Sequence, residues 1–587
     1  AQGFVRLEGG YANCTDSLPS GSPTTDAGRS LFDGSGGLGR SVLEVQSNGL
    51  VGSFQLRRIA LQGGDASSTT HRFNAGGGLA VYGRASVLVG SGVAIRNNVA
   101  GYGGGVALAG GRIEVNEAVD RIDFFIDEGA EIRDNVAADF GGGIYCGGAT
   151  TVSGAPPMEH RHASIVHRDG SIRGNRARAG FALFCLGSYA GGGYQPRPNP
   201  GAVARVADNS GNDPVSNFCP VLASLDLIVA PSGGVRILGA IEPSNNGFLL
   251  LQNNRGGAYA GLCIEGWATR GGASPAPSSA PVFWLQNALF LGNRVRMADT
   301  LSVQSAAFAT SKFAGQLPDL TLKPSSPSQR CGLLPPLGPC VVFEDNGLDG
   351  LVLKLGSAAL VTGRVRIEGA RISGNDAAGV LVSTQNAGDA ITIQSSLIEG
   401  NLVSGPGDAA VLFASAVDPG QPAAPTTDVF LAHNTVTGNV HDRFFRIEGA
   451  GRASVQGTVL HGNGDVRLLR TGSAPDANLS LRWCNYLTTL ADPGFSGATQ
   501  VDDGFGALVT VTGPLAFGSG FTPPLSLIDR CRTPQVFVPP LLFVTQTDYY
   551  GEAFGHPLAP LDPNRPADIG AVEFRPMGIF ADGFEQP

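Results

Sequence analysis

Chemistry needs ionisable or nucleophilic side chains held at fixed spacing, and this 587-residue chain offers a few such groups. Arg96, Arg133 and Arg173 each stand two residues before an asparagine, with Glu131 and Asp134 beside the second of them. An enzyme that eliminates across a uronate uses such a base next to calcium-holding acids, which acidify the proton beside the sugar carboxylate. The competing reading is a solvated face on which the arginines pair with neighbouring acids. His160, His162 and His167 fall within eight residues, and strand alternation puts His160 and His162 on one side. A metal is conceivable there, but no carboxylate or thiolate stands at fixed spacing, and an exposed insertion loop is the preferred reading of the cluster. The run Asp208-Asn-Ser-Gly-Asn-Asp213 presents oxygen ligands at alternating positions, yet its twelfth position is Cys219 instead of an acid. Structural calcium is therefore the one cofactor the sequence suggests. No Gly-x-Ser-x-Gly elbow surrounds a serine.

The elements that must position these groups follow from composition. Glycine accounts for 86 residues and proline for 38, only 15% of the chain is charged, and 42% is hydrophobic. That balance suits one elongated repeat domain with a long apolar interior better than a series of helical globules. Forty basic residues against 49 acidic ones give a net charge of −9, with lysine only at Lys312, Lys323 and Lys354. Nucleic acid and anionic membranes are poor partners for such a chain. No stretch reaches the ~18 apolar residues of a membrane helix, so no transmembrane segment is expected. The start at Ala1-Gln2 is consistent with a leader already removed.

A short pattern recurs: an apolar residue, two variable positions, then asparagine. It ends at Asn98, Asn135, Asn175, Asn254, Asn293, Asn346, Asn375, Asn401, Asn439 and Asn463. Seven of the nine steps run from 24 residues (439 to 463) to 40 (135 to 175), as expected for coil turns of which some carry loops. Between the asparagines the runs are short and alternate as strands do, while helical periodicity is scarce. Stacking such turns ~4.8 Å apart puts each asparagine over the next, where its amide satisfies backbone groups left open by the bend. The reading is an asparagine ladder.

Glycine triplets at 76–78, 103–105 and 141–143 precede Leu79-Ala-Val, Val106-Ala-Leu and Ile144-Tyr-Cys, marking bends that need positive φ or close backbone approach. Proline-rich or polar stretches at 154–158, 191–200, 272–281 and 318–339 read as insertions projecting from the coil. Cys146, Cys185 and Cys263 lie 11, 10 and 9 residues after ladder asparagines, which predicts equivalent strand positions close enough for an inter-turn disulfide. Core-packed thiols are the alternative. Cys331 and Cys340 flank a Pro-Pro/Gly-Pro loop that would close readily, Cys484 and Cys531 are further candidates, and the total of nine leaves at least one thiol unpaired or intermolecular.

These motifs carry a resemblance. Asn-ending segments alternating with Gly141-Gly-Gly-Ile-Tyr145 and Gly103-Gly-Gly-Val-Ala107 look like the paired GGA[ILV] and FxxN repeats of polymorphic-outer-membrane-protein-like secreted bacterial proteins. Asp492-Pro-Gly-Phe495, Ser526-Leu-Ile-Asp529, Thr547-Asp-Tyr-Tyr-Gly551 and Ala567-Asp-Ile-Gly-Ala-Val-Glu573 resemble, in order, that family's DPxF, SPAIDxG, TDxxG and DIGAxE closing motifs. The likeness spans roughly 70–575. The third-last motif lacks its proline and has Arg530-Cys531 in place of glycine, and residues 1–70 match nothing in the pattern.

The resemblance implies an all-β, right-handed parallel β-helix (pectin-lyase-like solenoid) with loop insertions and capped or docked ends. The expected layout is an N-terminal cap and first turns (1–70), the β-helix with insertions (71–490), closing turns (491–575) and a tail (576–587). It also implies export, to the exterior or cell surface of a Gram-negative bacterium, but not one activity, because this fold carries enzymes, adhesins and fibres alike. A pectin-type hydrolase resembles Asn-Thr-Asp, Asp-Asp, Gly-His-Gly and Arg-Ile-Lys segments. Here Asp502-Asp503 is the single Asp-Asp, Gly555-His-Pro557 and Arg446-Ile-Glu448 replace the next two, and Asn-Thr-Asp is absent. The reading that follows is a non-enzymatic structural or adhesive coil whose partners are copies of itself, stacked head to tail, or a surface polysaccharide; the alternative is a polysaccharide lyase or hydrolase with a groove along the coil.

Overall fold

The protein is described from a computed structural model. It covers residues 3–11, 29–35, 39–68, 74–109, 122–146, 163–185, 193–211, 221–229, 235–238, 247–256, 261–268, 282–295, 308–311, 319–323, 341–347, 352–354, 364–375, 380–384, 390–401, 409–415, 428–439, 443–448, 452–461, 468–471, 479–481, 486–487 and 499–500. Among these no helix occurs. The chain is a parallel β-helix, and it divides into two units, residues 1–318 with 343–361, and 319–342 with 362–587. The division falls inside the stretch that the sequence reading takes as one β-helix.

Why the strands are short is visible in the backbone. Few runs exceed five residues before a residue with positive φ turns the chain. In the first unit, one turn runs through Val106–Ala109, Ile122–Ile126, Glu131–Arg133 and Val136–Phe140, and the next through Ile144–Cys146, Ala163–His167, Gly170–Arg173 and Arg176–Ala177. Equivalent strands pair in parallel and in register, so Ile95, Ile132 and Ile172 form one column that continues through Val206, Leu251 and Phe290. All six are buried. Each such side chain taken from water contributes about 1.5–3 kcal/mol, and because it touches only the turns above and below, stability accumulates turn by turn.

Each glycine triplet does what its position requires. The first glycine takes positive φ at Gly76, Gly103 and Gly141. The third admits no side chain: a Cβ on Gly105 would lie 2.7 Å from the Gly143 carbonyl oxygen and 2.8 Å from the Asn135 amide nitrogen. One turn on, Gly180-Phe181-Ala182 replaces the triplet, and the Phe181 ring fills the interior against Ala137 and Ala177.

The second unit winds with three strands per turn, as in Ala390–Gln394, Leu397–Glu399 and Ala409–Ser415. Ile372, Ile398 and Val436 are its matching column. Two insertions read from sequence are corrected. Gly193–Pro196 is a strand paired with Ala163–His167, and Asp319–Lys323 is a strand paired with Arg364–Glu368. In the first of these Pro196 is tolerated because, among the described residues, its strand ends the sheet and no neighbour needs the missing N–H. The stretches 154–158 and 272–281 lie outside the described residues.

Candidate functional site

The asparagine corner is the most regular feature of the molecule. Asn98, Asn135, Asn175, Asn209, Asn254, Asn293 and Asn346 are fully buried and stack in one line. Each rung repeats one bonding scheme. Asn135 donates its backbone N–H and its side-chain Nδ2 to Oδ1 of Asn175, at 3.1 and 3.0 Å, and donates Nδ2 also to the Ile95 carbonyl, at 2.9 Å. Its own Oδ1 accepts the same pair of bonds from Asn98. Every hydrogen-bonding capacity of the amide is thus used within the ladder.

In the second unit Asn375, Asn401 and Asn439 repeat the scheme. Asn463 lies outside the described residues. Asn209 belongs to the ladder although the spacing argument passes over it, and its amide bonds Asn254 Oδ1 and the Ile172 carbonyl. Within the run 208–213, Asn209 Oδ1 accepts both bonds from Asn175, Asp208 is the residue with positive φ that turns the chain into the rung, and residues 212–213 lie outside the described residues.

A signal for every rung was present one residue earlier. The preceding position is Asn97, Asp134, Gly174, Asp208, Asn253, Gly292, Asp345, Gly374, Gly400 or Gly438, and all have φ between 52° and 64°. Asparagine, aspartate and glycine are the residues that enter this left-handed region most readily. A second, mixed ladder crosses another corner of the second unit: the Ser396 N–H donates to Asn434 Oδ1 at 3.1 Å, and the Asn434 N–H to Thr458 Oγ1 at 3.4 Å.

Arg96, Arg133 and Arg173 do share one register. Arg96 donates to Gln62 Oε1, Arg133 pairs with Glu131 and Asp134, and Arg173 reaches Glu131 at 3.1 Å, with Arg29 also 3.6 Å from that carboxylate. Partial burial opposes ionisation of Glu131, but the Arg173 hydrogen bond and the three guanidinium charges prevail and hold its pKa below the usual value.

His167 is not in an exposed loop. It sits inside the coil beneath Ile126, with Nδ1 3.0 Å from the Tyr194 hydroxyl and Nε2 3.2 Å from the Gly170 carbonyl. Burial pushes its pKa down to about 4, against the opposing pull of the Gly170 carbonyl, and pushes the Tyr194 phenol up. His160 and His162 lie outside the described residues, as do Asp502, Asp503 and His556. Among the described residues no group of three His, Cys, Asp or Glu side chains is placed to hold a metal ion.

Cys146 and Cys185 form a disulfide between adjacent turns, with Cα atoms 4.5 Å apart. Cys263 is not equivalent to them: Cys185 aligns with Ala223, while Cys263 aligns with Leu222, one residue earlier. Cys331, Cys340, Cys484 and Cys531 lie outside the described residues.

The remaining feature is the start of the first unit. Among the described residues, Gly3–Glu8 pairs only with Leu43–Arg57, and Ser30–Asp33 only with Ile59–Gln62. Phe4, Val5, Leu31 and Phe32 on these two strands are 65%, 44%, 52% and 43% exposed. Val5 and Phe32 occupy columns whose next members, Phe54 with Val87 and Leu61 with Ile95, lead into the core. Among the described residues no strand lies outside these two.

No family model matches the chain, and no curated protein or solved structure does either. The geometry alone speaks for function. The ladder's polar groups bond one another, and among the described residues the strands Gly3–Glu8 and Ser30–Asp33 have no outer neighbour and carry exposed apolar side chains. Such an edge can add a strand from another chain.

Proposed function

We propose that this chain is a non-enzymatic structural and adhesive coil of the bacterial surface that adds a second copy of itself end to end. The observation that carries the reading is the first turn, with Phe4, Val5, Leu31 and Phe32 exposed on strands that lack an outer neighbour among the described residues. Backbone donors and acceptors on that edge, together with core-column side chains, favour a partner that continues the stack. A contact between unlike ends does not close on itself, so repetition yields a fibre. The setting outside a Gram-negative cell rests on the sequence motifs.

The test is attachment measured beside turnover. The purified whole chain is expected to co-sediment with washed bacterial cells and to release neither unsaturated nor reducing sugar ends from a panel of acidic and neutral polysaccharides, with or without calcium. Sustained catalytic release from any member of the panel would replace this reading with a lyase or hydrolase, and absence from the cell pellet would remove the adhesive role.

A further inference from the structure

Charge is unevenly spread along the first unit. Between residues 170 and 295 the described segments carry Arg173, Arg176, Arg178, Arg197, Arg205, Arg236, Arg255 and Arg294 against Asp208, Asp226 and Glu265, in a chain whose net charge is −9. In the segments 170–185, 193–211, 247–256 and 287–295, which hold the ladder corner, Asp208 is the one carboxylate. The ladder decides where several of them point. In each of these turns the rung asparagine is buried, so the residue after it faces outward. That residue is Arg176, Ser210, Arg255 and Arg294 in successive turns, and these four align in register.

Stacked parallel strands are ~4.8 Å apart, so Arg255 and Arg294 are direct neighbours, and Arg176 lies two turns, on the order of 10 Å, away. On the other side of the same corner Arg205 stacks on Ser171. Arg176, Arg205 and Arg255 are exposed and make no ion pair among the described residues. Like charges directly opposite on adjacent strands repel, and an anionic ligand relieves that repulsion.

The ligand that fits repeats its negative charge along the coil axis. A small anion would meet one or two guanidiniums, whereas a linear polymer with a carboxylate or sulfate on its sugars meets the whole column. Nucleic acid is the weaker match, because single-strand binders add exposed aromatic stacking platforms, and these segments have no exposed aromatic side chain among the described residues. We propose that the asparagine corner between residues 170 and 295 binds a linear acidic polysaccharide laid along the stacked turns, engaged by Arg176, Arg205, Arg255 and Arg294. The proposal rests on the adhesive reading for its setting and names the class of partner.

The test is retention of the whole chain on immobilised polygalacturonate, with dextran and single-stranded DNA as comparators. The triple variant R176Q/R205Q/R255Q is compared with R6Q/R40Q/R84Q, which removes the same charge elsewhere. Retention is expected on polygalacturonate but not dextran, and is expected to vanish between about 0.1 M and about 1 M salt as the screening length falls from ~10 to ~3 Å. It is expected to weaken at least tenfold in the first triple variant and less than twofold in the second, with both melting like the parent. No retention, equal weakening by the two variants, or tighter binding to single-stranded DNA than to polygalacturonate would overturn the proposal. If polygalacturonate binding fails while co-sedimentation with cells persists, the strip assignment falls and the adhesive reading stands.

Discussion

Asn254 shows what one residue contributes to this architecture. Its Nδ2 donates to Asn293 Oδ1 and to the Val206 carbonyl, and its Oδ1 accepts from the Asn209 N–H and Nδ2. Asn254→Ala removes all four bonds, each worth about 1 kcal/mol, and takes the side-chain acceptor from the buried Asn209 N–H, although Asn293 Oδ1 keeps the Asn254 N–H and Asn209 Nδ2 keeps the Ile172 and Ala207 carbonyls. We expect a loss of roughly 3 kcal/mol or more, read as a lower denaturation midpoint, while Asn253→Gly one residue earlier leaves stability nearly unchanged because φ there is already positive at 52°. His167 gives the residue scale a pH dependence. Its folded-state pKa of about 4 lies below the ordinary 6.5 because burial disfavours the cation. Across that window the unfolded chain binds more protons at this position than the folded one, so stability falls as pH drops from 6.5 towards 4. The full effect is about 3 kcal/mol. Thermal melts of the parent and of His167→Gln as a function of pH check this: the variant is expected to lose that part of the slope, and an unchanged slope would show that His167 is not its source. The ladder rungs were legible in sequence because asparagine recurs after a fixed apolar position. Asn209 escaped because Asp208 and Asp213 drew attention to oxygen ligands, although the Asp-Asn pair matches the Asn-Asn, Asp-Asn and Gly-Asn pairs of the other rungs.

At the scale of elements, bends and cross-links fix the strands. Gly105→Ala is expected to lower the melting temperature strongly, since its Cβ would press on the Gly143 carbonyl oxygen, the Asn135 amide and Ile132 within 3.0 Å. Gly129→Ala, with positive φ but nothing within 4 Å of the added carbon, is expected to cost only about 1 kcal/mol. Equal effects would mean that close approach of the turns is not what the triplet secures. The Cys146–Cys185 bridge closes 39 residues of chain. Loop closure of that length corresponds to about 4 kcal/mol, so C146S/C185S is expected to lose roughly 2–4 kcal/mol in denaturant titrations. Triplets, stacking and the Cys146–Cys185 neighbourhood follow from spacing. Gly193–Pro196 and Asp319–Lys323 do not, because glycine and proline density signals a loop, whereas a strand of four or five residues at the end of a turn tolerates both. The mixed Ser396–Asn434–Thr458 ladder keeps steps of 38 and 24 residues, the same as Asn401–Asn439–Asn463. It stayed hidden because its residue types vary.

For the molecule as a whole, the consequence of stacking is that a turn is stable only against its neighbours, so a turn without an outer neighbour, as Gly3–Glu8 and Ser30–Asp33 are among the described residues, is a receptive part of the coil. That logic joins the exposed Phe4 and Phe32 to the adhesive reading, and the arginine column gives the flank of the same unit a separate charge-based role. The sequence pointed to docked ends but not to these residues: only the pairing of Gly3–Glu8 and Ser30–Asp33 shows that, among the described residues, the columns of Val5 and Phe32 have no further member. The most direct test of the central claim is sedimentation velocity of the whole chain and of F4D/F32D over a wide concentration range. The parent is expected to form species that grow with concentration, while F4D/F32D, folded to the same circular dichroism spectrum, stays at a single sedimentation coefficient. A parent that remains one species at every concentration, or a variant that associates as strongly as the parent, would contradict the account.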